Sequence, residues 1–126
     1  MKSSERLHLF MNVSRDKIIL KHMREDVQDI LSFIDGSTYS DFSQSHLLLK
    51  AVSMSLLNIG ELARELSDGV KEPYSAIPWR SIIGLRNRTA HGYHSLDPRI
   101  LWEIASVDIP PLLQVIDNAL EEFSEI

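Results

Sequence analysis

Apolar residues recur every three or four positions along two long stretches of the chain, residues 20–34 and 49–66. This is the spacing of one face of an α-helix, so each stretch predicts a helix with one apolar side. The segment that joins the two stretches is short. We therefore expect the two helices to pack antiparallel, at the crossing angle of roughly 20° that is typical of helical bundles.

The residues around these stretches predict where the helices begin and end. Ser14 precedes the first pattern as the expected N-cap, and Gly36 follows it as the expected stop. Asp41 or Ser43 is the expected cap of the second helix, and Gly69 is its expected end. Residues 1–13 have no clear periodicity. We therefore expect an N-terminal arm over residues 1–13 and a single helical domain over residues 14–126.

The second half of the chain predicts shorter helices. A third helix is expected over about residues 79–90, with Gly92 directly after its end. Asp97 and Pro98 have the order of an N-cap and a first-turn proline, which predicts a short fourth helix. Residues 108–111 contain two prolines and are expected to restart the chain before a last helix. Because no alternating strand pattern of any length is present, the sequence predicts an all-α fold.

Composition narrows the class of protein. A chain of 126 residues suits one domain, and the absence of cysteine excludes disulfides and thiolate metal sites. No apolar run approaches the ~20 residues that span a bilayer, and the N-terminus lacks the apolar segment of a secretory signal. We therefore expect a cytoplasmic protein without membrane contact. The net charge of −5 argues against a protein that coats nucleic acid.

The charge is unevenly distributed, however, and this points to one segment. Residues 80–99 contain four arginines and two histidines against a single Asp97. Within this segment, residues 84–93 read Gly-Leu-Arg-Asn-Arg-Thr-Ala-His-Gly-Tyr. The guanidinium of Arg86 offers a fork of donors that fits phosphate oxygens, and neutral His91 can move protons near pH 7. With no carboxylate cluster beside them, the two residues suit phosphodiester chemistry without a metal.

Helix geometry bears on how these residues meet. Arg86 and His91 are five residues apart, which separates them by about 140° around a straight helix. Asn87 and His91 are four apart and share a face, so Asn87 can orient the imidazole. Either the last helical turn loosens and brings His91 toward Arg86, or a second copy of the chain completes the site in a twofold dimer.

Other candidates have simpler interpretations. His91 and His94 are three residues apart, but no third ligand follows at metal-site spacing, so no metal site is expected. Trp79 and Trp102 are interpreted as core or interface anchors rather than platforms on which bases stack.

Six runs together carry a family resemblance over about residues 15–123. They are residues 51–61, 77–79, 82–87, 90–93, 101–102 and 108–110. In these runs, and above all in the pattern R-x4-H-x-Y, the chain resembles the HEPN-domain ribonucleases of the HepT-like toxin group. The resemblance implies an all-α, HEPN-type antiparallel bundle built on two long helices plus shorter C-terminal helices.

The same resemblance implies a function and a set of roles. Such proteins are toxins of toxin–antitoxin pairs, act as homodimeric metal-independent endoribonucleases without a cofactor, and are neutralised by a cognate minimal nucleotidyltransferase antitoxin. By this resemblance Arg86 and His91 are catalytic, Asn87 supports them, and Tyr93 is the residue that receives AMP from the antitoxin or positions the RNA substrate. The motif shows no departure from the family pattern.

The chemistry of metal-free RNA cleavage suggests a mechanism. The ribose 2′-hydroxyl attacks the adjacent phosphate and leaves a 2′,3′-cyclic end, which requires proton transfer and a cation for the charged transition state. His91 supplies the proton transfer, and Arg86 holds the phosphate oxygens. The alternative is a non-catalytic HEPN subunit that binds nucleotide or mediates dimerisation beside a nucleotidyltransferase. The acidic net charge favours this alternative, and the intact motif argues against it.

Overall fold

The structure, a computed structural model, describes residues 2–88 and 96–124, with side chains for all of these except residues 86–88. In chain order the helices are α1 (Ser3–Ile34), α2 (Tyr39–Ser43), α3 (His46–Glu65), α4 (Asp68–Lys71), α5 (Trp79–Arg88), α6 (Pro98–Glu103) and α7 (Ile109–Ser124). A 3-10 turn covers Glu72–Tyr74, and a π-helical segment covers Ile104–Asp108. This described part of the chain contains no strand, so the predicted all-α fold is confirmed.

The core lies between α1, α3 and α7, and α5 packs on α3. Arg15 of α1 pairs with Glu65 at the end of α3, and Asp26, later in α1, is hydrogen-bonded to Asn58, earlier in α3. The two long helices are therefore antiparallel, as predicted. The apolar positions of the predicted stripes are buried. On the three core helices these are Leu20, Met23, Val27, Ile30, Val52, Leu56, Ile59, Ala63, Leu112, Ile116 and Ala119.

Helix α1 begins earlier than the sequence pattern predicts. It starts at Ser3, so Ser14 lies inside the helix and is not its N-cap. The first 35 residues contain neither glycine nor proline, so nothing interrupts helical hydrogen bonding there. The early turns leave Leu7, Phe10 and Met11 exposed, which explains why this part has no core-facing pattern. Residues 3–13 of the predicted arm are helical, and the division into an arm and a domain stays a prediction.

The predicted ends of the second long helix are also corrected. Ser45, rather than Asp41 or Ser43, caps α3, because its hydroxyl oxygen accepts a hydrogen bond from the Leu48 amide at 3.1 Å. The helix ends at Glu65, and Gly69 lies within α4. Gly36 does follow the end of α1 as predicted, with a left-handed φ of 72° that glycine adopts without strain.

An aspartate of α1 determines where α3 stops. The buried carboxylate of Asp16 accepts hydrogen bonds from the Ser67 amide at 3.1 Å and from the Ser67 hydroxyl at 2.6 Å. Leu66 is therefore extended instead of helical, and the chain turns into α4. A glycine is not required for this stop, because a side chain from another helix binds the first residues after it.

The C-terminal part is more continuous than predicted. Asp97 caps α6, as expected, by accepting a hydrogen bond from the Arg99 amide at 2.9 Å. The predicted restart at residues 108–111 is wrong, because α6 continues through the π-helical segment into α7. Pro110 and Pro111 lack the amide donors of an ordinary turn, and their rings crowd the preceding turn. The wider π turn next to them accommodates both effects.

Candidate functional site

A close approach between two backbones holds α5 on α3. A β-carbon placed on Gly60 of α3 would lie 2.7 Å from the carbonyl oxygen of Ile82 in α5, which is closer than real side chains allow. The side chains of Ile82 and Leu85 are buried on the same side of α5. Helix α5 is therefore fixed in position and rotation by α3, since any larger residue at position 60 would push it away.

The start of α5 is held by a second set of contacts. The indole N–H of Trp79 donates a hydrogen bond to the Tyr74 carbonyl at 3.1 Å, and the Trp79 amide donates to the Ile77 carbonyl at 2.8 Å. The hydroxyl of Tyr74 in turn donates to Glu122 of α7 at 3.4 Å. Burial and the neighbouring Glu122 carboxylate raise the pKa of Tyr74 above its ordinary value, so this hydroxyl keeps its proton at neutral pH.

Helix α5 carries the first two residues of the predicted site. Arg86 and Asn87 lie in its last turn, and Arg86 comes one turn after Ile82. The close approach at Gly60 therefore fixes the backbone that presents both residues. Their side chains are outside the described part of the structure, and His91 and Tyr93 lie outside the described residues altogether. The roles of all four residues stay predictions.

The helix also places a tryptophan in line with the predicted catalytic arginine. Trp79 and Arg86 are seven residues apart, so their positions lie on one face of α5, about 10 Å apart along its axis. Trp79 is half-buried and packs against the core. Trp102, by contrast, packs its ring against Tyr39 and Phe42 of α2, with ring centroids 6.2 and 5.3 Å away.

The described residues lack two kinds of structural feature. Among them, no three histidine, aspartate or glutamate side chains come close enough together to hold a metal ion. None of the described helices combines the length and the apolar content that crossing a membrane requires. His91 and His94 lie outside the described residues.

The sequence did not predict the role of Gly60 in positioning α5 or the role of Asp16 at the end of α3. Gly60 sits in the middle of a strong helical pattern, where glycine costs about 1 kcal/mol relative to alanine, and that cost indicates a packing role. Asp16 stands between polar neighbours in sequence, and no local pattern indicates that its partner is Ser67, 51 residues later. The glycine could have been identified from the sequence, but the aspartate could not.

Comparison with known proteins agrees with this architecture. Residues 23–119 match the HepT-like family, described as ribonuclease HepT-like. A Thermococcus cleftensis protein, provisionally named ribonuclease HepT, is 30% identical over 73% of this chain and 87% of its own length. No solved structure matches the chain with statistical significance.

Two further relatives carry names that provisionally assign them as RNases. The relative from Caldanaerobacter subterraneus is 29% identical over 82% of this chain and 92% of its own length. The relative from Methanocaldococcus jannaschii is 29% identical over 80% of this chain and 93% of its own length. The family match covers the C-terminal part of α1, all of α3 and α5, and α7 as far as Ala119 in one stretch. The chain therefore belongs to the HepT-like ribonuclease family.

Proposed function

We propose that this protein is the toxin of a toxin–antitoxin pair and acts in the cytoplasm as a metal-independent endoribonuclease. The observation that carries the proposal is membership of a ribonuclease family together with an intact R-x4-H-x-Y pattern at the end of α5. The backbone contact between Gly60 and Ile82 supports it, because it gives that end of the helix a defined place on the bundle.

The proposed chemistry assigns one task to each residue of the motif. One His91 accepts the proton of the attacking ribose 2′-hydroxyl, and the second His91 of the dimer, in its protonated form, gives a proton to the departing 5′-oxygen. Arg86 neutralises the charge that builds on the phosphate oxygens. Asn87 orients the imidazole of His91 from one turn earlier. The products are a 2′,3′-cyclic phosphate and a 5′-hydroxyl, and no metal ion is required.

The active unit in this proposal is a homodimer. Five residues separate Arg86 from His91, which leaves the pair of a single helix about 140° apart. A twofold axis near the end of α5 brings two copies of the motif into one cleft and so provides convergent arginine and histidine groups. Light scattering on the purified protein tests the dimer, and a monomer that cleaves RNA at full rate would contradict it.

The experiment that tests the activity is RNA cleavage in excess EDTA by the parent protein and by Arg86→Ala and His91→Ala. We expect cleavage by the parent and none by the two variants, with unchanged circular dichroism. The exposed Arg64 and His46 provide matched controls, and Arg64→Ala and His46→Ala should cleave like the parent. Dependence on Mg²⁺, or a His91→Ala variant that cleaves normally, would refute the proposal.

The second candidate is a non-catalytic subunit that binds nucleotide beside a nucleotidyltransferase. The net charge of −5 favours it, because a protein that handles RNA usually carries more positive charge. The same assay separates the two functions. A non-catalytic subunit would bind its nucleotidyltransferase partner tightly and would leave RNA intact at every enzyme concentration.

A further inference from the structure

A cavity of about 540 Å³ opens beside the first turn of α5. Its floor is apolar and is formed by Ile77, Pro78 and Trp79, whereas polar residues line its rim. This volume lies within the ~300–1,000 Å³ range of small-ligand sites. The cavity is separate from the predicted catalytic residues, because it flanks the opposite end of the same helix.

We propose that this cavity is a subsite of the ribonuclease and binds one unstacked base of the RNA strand, with the indole of Trp79 as its stacking surface. This inference rests on the proposed function, because it assigns the cavity to the same RNA strand that Arg86 and His91 cleave. Trp79 and Arg86 share a face of α5, about 10 Å apart. A strand that crosses this face reaches both within a few nucleotides.

The sequence favours a core or interface anchor at Trp79, but in the structure its indole also lines the cavity and is suited to stacking. Its N–H donates to the Tyr74 carbonyl, and the half-buried side chain both packs against the core and lines the cavity. A stacking platform fixed in this way loses little side-chain entropy when a base binds. Stacking on an aromatic side chain stabilises a bound base, whatever its sequence context.

Charged residues of opposite sign on the rim suit different parts of the nucleotide, the phosphate and the base. Arg80 is exposed and has no ion pair among the described residues, so its guanidinium is available for the phosphate of the bound nucleotide. Lys71 is occupied, because its ammonium donates to the Ala63 carbonyl at 2.9 Å and lies 3.9 Å from the carboxylate of Asp68. The carboxylates of Asp68 and Glu72 line the rim as hydrogen-bond acceptors. They fit bases that carry an exocyclic amine, so cytosine binds better than uracil.

The test measures binding without cleavage, in the His91→Ala background. The chain contains two tryptophans, and Trp102 packs against two rings of α2, so a change of tryptophan emission on adding RNA reports on Trp79. The probes are six-nucleotide cytidine and uridine RNAs and the mononucleotide CMP. We expect the cytidine RNA to quench the emission and to bind more tightly than the uridine RNA and than CMP.

Paired substitutions show whether the cavity is responsible. Trp79→Phe keeps an aromatic ring and should bind RNA nearly as well as the parent, whereas Trp79→Leu should weaken binding about tenfold. Binding by these variants is measured by the fluorescence anisotropy of end-labelled cytidine RNA, because substitution of Trp79 removes the emission that reports binding. Ser75 stands on the exposed rim and Ser81 on the far side of α5, so Ser75→Phe should obstruct the cavity and Ser81→Phe should not. Circular dichroism confirms that each variant is folded.

Each result distinguishes the subsite from the ribonuclease activity. Normal binding by both Trp79→Leu and Ser75→Phe would overturn the subsite, even if the parent cleaves RNA. Binding of CMP as tight as that of the RNA would overturn it too, since the cavity would then be a site for free nucleotides. If the parent never cleaves RNA, the proposed activity fails, whereas the binding measurements still decide what the cavity holds.

Discussion

The α-carbon of Gly60 faces the carbonyl oxygen of Ile82 so closely that a β-carbon there would lie 2.7 Å from that oxygen. The neighbouring atom belongs to the backbone of a helix and cannot rotate away. We predict that Gly60→Ala displaces α5, lowers the free energy of unfolding by about 1–3 kcal/mol and reduces RNA cleavage more than tenfold. Urea unfolding and cleavage rates measure the two effects.

Gly69 provides the matched control for that substitution. A β-carbon on Gly69 meets nothing within 4 Å, and the residue lies in α4. Gly69→Ala should therefore keep full activity and change stability by less than about 1 kcal/mol, in the stabilising direction. A Gly60→Ala variant that matches Gly69→Ala in both measurements would show that the close approach does not position the site.

Asp16 is predicted to stabilise the fold through its two hydrogen bonds with Ser67. Asp16→Ala leaves the Ser67 amide and hydroxyl without their acceptor, which should cost about 1–3 kcal/mol in the free energy of unfolding. Ser67→Ala removes only the hydroxyl bond of 2.6 Å and should cost less. The double variant should lose less than the sum of the two, and strict additivity in urea unfolding would contradict direct coupling.

Asp26 is predicted to make stability depend on pH. Burial raises the pKa of Asp26, and the neighbouring carboxylates of Asp29 and Glu25 raise it further, although a hydrogen bond from Asn58 and the charge of His22 oppose them. Since this pKa is higher in the folded protein than in the unfolded chain, the ionised carboxylate destabilises the fold at neutral pH. That penalty disappears as the pH falls through the raised pKa.

Asp26→Asn should therefore unfold at a higher urea concentration than the parent at pH 7. The gain should be less than about 1 kcal/mol, because the side chain is only half-buried. The difference should shrink to zero as the pH approaches the ordinary aspartate value of 3.8. A difference that grows on acidification would have the wrong sign for a raised pKa.

Tyr93 is predicted to receive AMP from a nucleotidyltransferase partner. A phosphodiester on its hydroxyl places a negative charge where RNA phosphate must bind, so the modified protein should lose cleavage. Tyr93→Phe keeps the ring, removes the acceptor oxygen and should escape this neutralisation. Intact mass spectrometry after co-expression should show the added adenylyl group on the parent and not on the variant. If the partner silences both proteins equally, neutralisation occurs by binding alone.

The helical core could be predicted from the sequence because its signal is local and repetitive. Residues such as Met23, Leu56 and Ile116 recur at helical spacing, and all are fully buried. The early start of α1 was missed because exposed helical turns need no apolar pattern. The continuity through Pro110 was missed because a π turn has no sequence rule as strong as the rule that proline breaks a helix.

Part of the candidate site could likewise be predicted from the sequence, and part could not. Arg86 and Asn87 could be assigned to the end of a helix from periodicity and the glycine that follows. The contact that holds this helix, between Gly60 and Ile82, depends on how two backbones pack and is not encoded by spacing within either helix. The cavity beside Trp79 was missed for the same reason, since residues from α4, the following turn and α5 build it together.

The exposed first turns of α1 have a consequence for hydrogen exchange. Backbone amides around Leu7 and Phe10 belong to helical turns whose side chains are exposed, so only local helix propensity protects them. Amides from Leu20 to Ile30 open only when the bundle itself opens. In a lone chain, one helix should therefore show two exchange rates, fast before Ser14 and slow after it. Slow exchange along the whole of α1 would show that another molecule covers its first turns.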